Sequence, residues 1–198
     1  MIEYLLEIDR SLFIFLNGLG HFKYDLFWLL ITDKFLNFTI YSILAFYVFK
    51  KTNYKYFAYL ILIVSILIFC TDQFTNLIKH SVSRPRPCHE ESLYGLIRLV
   101  KDTCGGAFGY FSAHASNSFA LAILFSGILS SQIKYISIYL IFFASLVGYS
   151  RIYIGVHYPL DVVSGAIIGS LFGYILLLMS SRIVLWKLVF NSKKNIRH

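Results

Sequence analysis

The chain has 198 residues, 58% of them hydrophobic and 18% aromatic, at a mean hydropathy of +0.68. So little polar surface cannot cover a water-soluble domain of this size, and the composition places the chain in a membrane. The formal charge of +8 then reads as basic residues flanking membrane spans, not as a surface for nucleic acid.

A crossing needs about 20 apolar residues, so the chain has room for five or six spans. The expected fold is an all-α polytopic membrane bundle forming one domain over 1–198. Glu3, Glu7 and Asp9 stand where a cleavable leader would be basic, so the spans themselves are expected to direct insertion. Residues 2–18 alternate charges with Leu, Ile and Phe at helical spacing, which predicts an amphipathic interfacial helix. Residues 11–32 are apolar, but Asn17, Gly18, Gly20, His21, Lys23 and Asp25 interrupt them. Residues 1–33 therefore read as an interfacial or re-entrant segment.

Spans follow at about 35–49, 55–78, 114–130 and 159–180, with a fifth at about 133–149 ending at Ser150 and Arg151. Alternating direction brings the end of 55–78, the start of 114–130, the end of 133–149 and the start of 159–180 to one side. That side also receives the long loop, about 80–112. The opposite face carries half of the 18 cations, including Lys50, Lys51, Lys55, Lys134, Arg182, Lys187, Lys193, Lys194 and Arg197. With Lys79, Arg84, Arg86 and Arg151 assigned to a site, the positive-inside rule puts the loop outside and the C-terminus in the cytoplasm. Cys70 reads as a packing residue. Cys88 and Cys104 share the loop and are expected to pair and brace it if it faces an oxidising compartment, and to stay free if it does not.

The loop face gathers Lys79, Arg84, Arg86, Ser112, His114, Arg151, His157 and Asp161. Ionisable groups at a membrane edge are costly and usually functional. Several cations there call for an anion, and phosphate suits arginine forks. Ser112 is a good N-cap and Pro159 a good first-turn residue, so two helix starts point free N–H groups at the same space. His157 and Asp161, four residues apart, share a helix face. A carboxylate there fixes the ring tautomer for attack on phosphorus, and His114 is left to act as the acid. Singly, each residue has a duller explanation: Asp161 complements a helix dipole, while Arg151 and Lys79 snorkel. Ser150 and Arg84 are accessory candidates. So is Asp72, an acid within a span, expected to pair with a basic or hydroxyl group lining the site.

The spacing Lys79-x6-Arg86-Pro87, then Phe111-Ser112-Ala113-His114, then Ser150-Arg151-x5-His157-x3-Asp161 resembles the three-part signature of the type 2 phosphatidic acid phosphatase superfamily. The resemblance spans residues 79–161. It implies that Lys79, Arg86, Arg151, Ser112 and the backbone at Ala113 bind the phosphoryl oxygens. It further implies that His157 is the nucleophile, Asp161 its orienter and His114 the general acid, with no metal or other cofactor. In the second motif Phe111 replaces Pro and Ala113 replaces Gly, so a turn that glycine makes cheaply is expected to fall to alanine.

The expected function is hydrolysis of a lipid phosphate or diphosphate at the outer face of a bacterial cytoplasmic membrane, through a phosphohistidine. The partners expected are the lipid substrate and membrane lipids. Polyprenyl (undecaprenyl) diphosphate is the first choice; lipid A, phosphatidylglycerol phosphate and phosphatidic acid are alternatives. An anionic-lipid binding or transport protein is the non-enzymatic alternative, and a vanadate-type haloperoxidase is disfavoured by the spans. Gly165, Gly169 and Gly173, with the small residues of 113–122, are expected to make helix–helix contacts.

Overall fold

The computed structural model describes residues 2–101 and 103–180. These form seven α-helices joined by short 3₁₀ turns: α1 (Ile2–Gly18), α2 (Asp25–Ile31), α3 (Lys34–Lys51), α4 (Tyr54–Val82), α5 (Ala113–Leu129), α6 (Ile136–Tyr153) and α7 (Pro159–Ser180). Side-chain caps set the helix starts. Asp33 accepts from the N–H groups of Phe35 (2.9 Å) and Leu36 (3.1 Å) at the head of α3, and Asn53 does the same for Lys55 and Tyr56 in α4. The 29-residue α4 overruns the expected end at 78 and stops at Ser83, whose φ is +50°. Pro85, just beyond, cannot continue a helix. Lys79 thus sits in the last turn of α4.

At the centre lies α5, packed among α3, α4, α6 and α7. Its partnership with α7 is parallel and in register. A Cβ at Gly165 would stand 2.6 Å from the Ser112 carbonyl oxygen, and at Gly169 and Gly173 it would overlap the carbonyls of Ser116 and Ala120. The two backbones touch, as expected from the glycine repeat. In lipid, helix association depends on such close van der Waals contact, because burial from water adds nothing between two apolar surfaces already in hydrocarbon.

Helices α4, α6 and α7 are long and apolar enough to cross a membrane. The pair Phe22–Ile31 and Lys34–Lys51, bent by 47°, meets the same requirement only when taken together, as a broken span or a re-entrant loop, and α5 has only 17 residues. By length and composition this supports three or four crossings among the described residues, fewer than the five or six expected. The bend falls at Thr32–Asp33, where Asp33 stops one helix and caps the next. Helix α6 starts later than expected and runs through Tyr153, so Ser150 and Arg151 lie inside its last turn.

The N-terminal helix forms, but its buried stripe is not an apolar one. Asp9, Phe13 and Asn17, at i, i+4 and i+8, are 6%, 0% and 0% exposed. Asn17 donates to the carbonyls of Arg98, Ile152 and Tyr153 and accepts from Arg98 N–H at 2.7 Å. Phe13 meets the Tyr158 ring edge-on, with centroids 5.3 Å apart. The helix is docked on the α6–α7 connection. Cations Arg182, Lys187, Lys193, Lys194 and Arg197, which entered the orientation count, lie outside the described residues.

Candidate active site

Four chain segments deliver polar groups to one end of the bundle: the last turn of α4, the loop 83–112, the first turn of α5, and the stretch from the end of α6 into α7. The loop is held as a stub of antiparallel pairing, with Arg86 N–H on Ala107 O (3.1 Å) and Gly109 N–H on Arg84 O (2.9 Å). Cys88 and Cys104 are joined in a disulfide across it, Cα atoms 5.9 Å apart. The α6–α7 connection passes so close to Arg98 that a Cβ at Gly155, φ +86°, would overlap the Arg98 carbonyl. Only glycine accommodates both that approach and that φ.

His157 is 2% exposed and Asp161 is fully buried. Nδ1 of His157 is 3.2 Å from Asp161 Oδ2, which also accepts the Tyr158 N–H at 3.1 Å. The carboxylate partner makes Nδ1 the protonated nitrogen and leaves the lone pair on Nε2. Burial, then the charges of Arg151, Arg86 and Lys79, hold the imidazole well below its ordinary pKa of 6.5. The ring is therefore neutral.

Lys79, Arg86 and Arg151 lie within charge–charge range of one another and of His157. None has a carboxylate at ion-pair distance among the described residues. Arg86 is fastened by the loop, Nε to Phe108 O at 3.3 Å and Nη1 to Cys104 O at 3.0 Å. Arg151, 6% exposed, gives Nη1 to Thr32 Oγ1 at 2.7 Å, while its buried Nε has no partner among the described residues. A buried guanidinium left in this state calls for an anion.

The head of α5 completes the arrangement. Ser112 Oγ accepts from Ala115 N–H (3.4 Å), and Ser112 N–H donates to the Asp161 carbonyl (2.9 Å), tying the starts of α5 and α7 together. Ala113 is the first helical residue and does not take positive φ. The expected glycine-like turn is therefore not needed, and alanine is at home there. Phe111, in place of proline, is 2% exposed and packs beside Phe74. His114 sits one residue further on and lies in charge range of both Arg151 and His157.

His114 also lines a cavity of about 820 Å³ between α3, α4 and α5. One end carries Lys34, Asn37, Phe38, Asp72, Gln73 and Asn117; the other is formed by Tyr41, Ile61, Ile68, Leu121 and Phe125. Asp72, expected to pair with a basic or hydroxyl group, instead accepts from the Asn117 amide at 2.8 Å. The Asn117 carbonyl in turn accepts from the Thr71 hydroxyl. The two other accessory candidates are also tied to protein groups. Ser150 spends its hydroxyl on Val147 O within its own helix. Arg84 is committed to two carboxylates, Asp161 Oδ1 (3.1 Å) and Asp9 Oδ2 (2.7 Å), beneath the Tyr158 ring. Sequence reasoning missed Asp9, Thr32 and Asn117. Only Asp9 left a trace, as the acid in the Asp9/Phe13/Asn17 stripe.

Residues 53–184 match the family model described as the PAP2 superfamily. The chain is 34% identical over 177 residues to the lipid A 4'-phosphatase of Bacteroides thetaiotaomicron, covering 88% of this chain and 78% of that protein. It is 32% identical to the lipid A 4'-phosphatase of Porphyromonas gingivalis, over 87% and 72%. Among solved structures it resembles a transmembrane PAP2-type phosphatidylglycerolphosphate phosphatase from Bacillus subtilis (TM-score 0.73, 18% identity, 91% and 88% covered), a likeness of fold. It also resembles LpxE from Aquifex aeolicus (TM-score 0.62, 26% identity, 85% and 93% covered). With the fold, the motifs and the relatives in agreement, this chain belongs to the PAP2 superfamily and is a membrane lipid phosphatase.

Proposed function

We propose that the chain is a single phosphatase domain that removes phosphate from an acylated sugar lipid of the lipid A type through a phosphohistidine on His157. The observation that carries it is the set of three cations without carboxylate partners around a neutral imidazole bonded to Asp161. Nε2 of His157 attacks phosphorus while Lys79, Arg86, Arg151, Ser112 and the N–H groups at the head of α5 hold the phosphoryl oxygens. The phosphorus–oxygen bond to the lipid breaks, and His114 protonates the departing oxygen. Water then attacks the phosphohistidine with His114 as base, which releases inorganic phosphate and restores both rings. No step requires a metal.

Substrate choice rests on two supports. The curated relatives are lipid A 4'-phosphatases over most of their length. The cavity beside His114 is polar near the ring and apolar beyond it. Such a gradient suits a leaving group rich in hydroxyls and amides that carries acyl chains. A polyprenyl diphosphate, the first choice from sequence, would bring no hydroxyls or amides to Asn37 and Gln73 at that end of the cavity.

The topology we favour has five crossings: the bent α2–α3 pair, α4, α5, α6 and α7. Helix α5 is shielded by protein, so it need not match the bilayer alone. The active site faces the periplasm and the C-terminus the cytoplasm of a bacterial inner membrane. The Cys88–Cys104 disulfide supports that side, because disulfides persist in oxidising compartments.

The test is phosphate release from lipid A, phosphatidylglycerol phosphate, phosphatidic acid and undecaprenyl diphosphate by purified protein in EDTA. Lipid A should be turned over fastest, and His157→Ala should lose at least ~10³-fold in activity together with any acid-labile phosphoprotein. Faster turnover of undecaprenyl diphosphate, or activity abolished by EDTA, would overturn the substrate or the mechanism respectively.

A further inference from the structure

The catalytic account above leaves one buried acid unused. Asp9, on α1, is 6% exposed and lies 152 residues before Asp161 in the chain, yet both its oxygens end beside that residue. Oδ2 takes Arg84 Nη2 at 2.7 Å, and Oδ1 takes the Leu160 N–H at 2.7 Å. Leu160 immediately precedes Asp161 in the first turn of α7, so Asp9 serves as an N-cap supplied by another helix. Arg84 Nη1 closes the ring on Asp161 Oδ1 at 3.1 Å, with the guanidinium 3.9 Å from the Tyr158 ring centroid.

We propose that Asp9 is a positioning residue for the reaction of His157, so that α1 is part of the active site and not only an anchor. Two effects follow from the geometry, and both rest on the phosphohistidine reading. The first is mechanical: Asp161 is held through its side chain and through the backbone beside it, which sets the direction of the His157 ring. The second is electrostatic. Arg84 alone would neutralise Asp161. With Asp9 present the trio of two carboxylates and one guanidinium keeps a net negative charge next to an imidazole that becomes cationic when it takes phosphate.

The two effects predict a loss of rate without a loss of binding, because Asp9 touches neither phosphate nor lipid. With lipid A and short-chain phosphatidic acid as probes, Asp9→Asn should lower kcat by about 10- to 100-fold, the scale on which outer-shell partners act. KM should stay within about twofold. Arg84→Gln breaks the mechanical link but leaves both carboxylates, so its loss should be no larger than that of Asp9→Asn, and the double variant should be no worse than the poorer single, because the same chain is broken once. Asn17→Ala is the docking control. It removes the hydrogen bonds that hold the end of α1 to Arg98, Ile152 and Tyr153, two turns away from Asp9, so it should lower the thermal midpoint while leaving kcat within a few fold.

The proposal is overturned by an Asp9→Asn enzyme with unchanged kcat, by additive losses in the double variant, or by Asn17→Ala reproducing the Asp9→Asn pattern. If Asp9→Asn does not accumulate as folded protein, Asp9→Glu replaces it: retaining the charge, it must be at least ~10-fold more active than Arg84→Gln, and equal losses overturn the brace. A wild type inactive on every lipid phosphate would sink the phosphatase reading together with this one. An active wild type with an indifferent Asp9→Asn sinks this one alone.

Discussion

The two sides of α5 are built on opposite rules. Toward α7 it presents Ser112, Ser116 and Ala120, whose carbonyls lie against Gly165, Gly169 and Gly173 so tightly that no Cβ fits. Toward α3 and α4 it leaves a cavity of about 820 Å³. The closed side carries the groups that must not move: Ser112 bonded to the Asp161 backbone, and His157 bonded to the Asp161 side chain. The open side is where the proposed function seats the lipid. In the proposed mechanism one helix therefore fixes the support of His157 on one face and, through His114, meets the leaving group on the other.

The largest expected effect breaks the closed side. Gly169→Val drives a side chain into the Ser116 carbonyl, which should cost at least ~3 kcal/mol of stability and at least ~100-fold in activity as α7 is pushed from α5. Thermal melting and phosphate release measured together would test this, and near-wild-type values for both would mean that the seam is not rigid. A matching change on the open side should behave differently. Ser65→Phe fills the cavity from α4. It should leave the thermal midpoint close to wild type while raising KM by about tenfold for long-chain lipids, roughly the free energy of one or two displaced methylene groups. A water-soluble short-chain phosphate should be unaffected. Equal effects on both substrates would mean that the cavity is not the tail site.

Smaller effects sharpen the contrast within the rim. Reducing Cys88–Cys104, or replacing both with serine, frees the Cys104 carbonyl that accepts from Arg86. Phosphate affinity should fall by about 3- to 10-fold, the worth of one hydrogen bond, with kcat little changed; inorganic phosphate inhibition would measure it. The smallest concerns pH. Burial and the neighbouring cations hold His157 below 6.5, so protonation should silence the nucleophile only in more acidic solution. The acid limb of kcat/KM should therefore lie below pH 6.5. In Lys79→Gln one destabilising charge is gone, and on the residual activity the limb should move up by about half a unit. A limb above 6.5 in the wild type would contradict a neutral, cation-flanked ring.

Much of this molecule was legible before any coordinates. Periodicity and hydropathy located the long helices, and alternation of direction brought Lys79, Arg86, Ser112, His114, Arg151, His157 and Asp161 to one end of the bundle. These are local properties: helical spacing, helix caps and the cost of charge in a membrane are read within a few residues. The Gly165/Gly169/Gly173 repeat announced a close helix contact for the same reason. The expectation for Ala113 failed because a motif does not state its φ, and only the helix start reveals that no glycine is required there.

What the tertiary structure decided is who meets whom across long separations. Asp9 with Leu160, Asn17 with Arg98 and Tyr153, Thr32 with Arg151, and Asp72 with Asn117 are pairings between helices far apart in the chain. Each polar group had many partners compatible with its own local pattern, and the choice fell to packing, which brings particular helix faces within hydrogen-bond distance. Arg84 is the clearest case. Its neighbours in sequence make it one more cation near a phosphate site, and only the docking of α1 turns it into the link between two carboxylates.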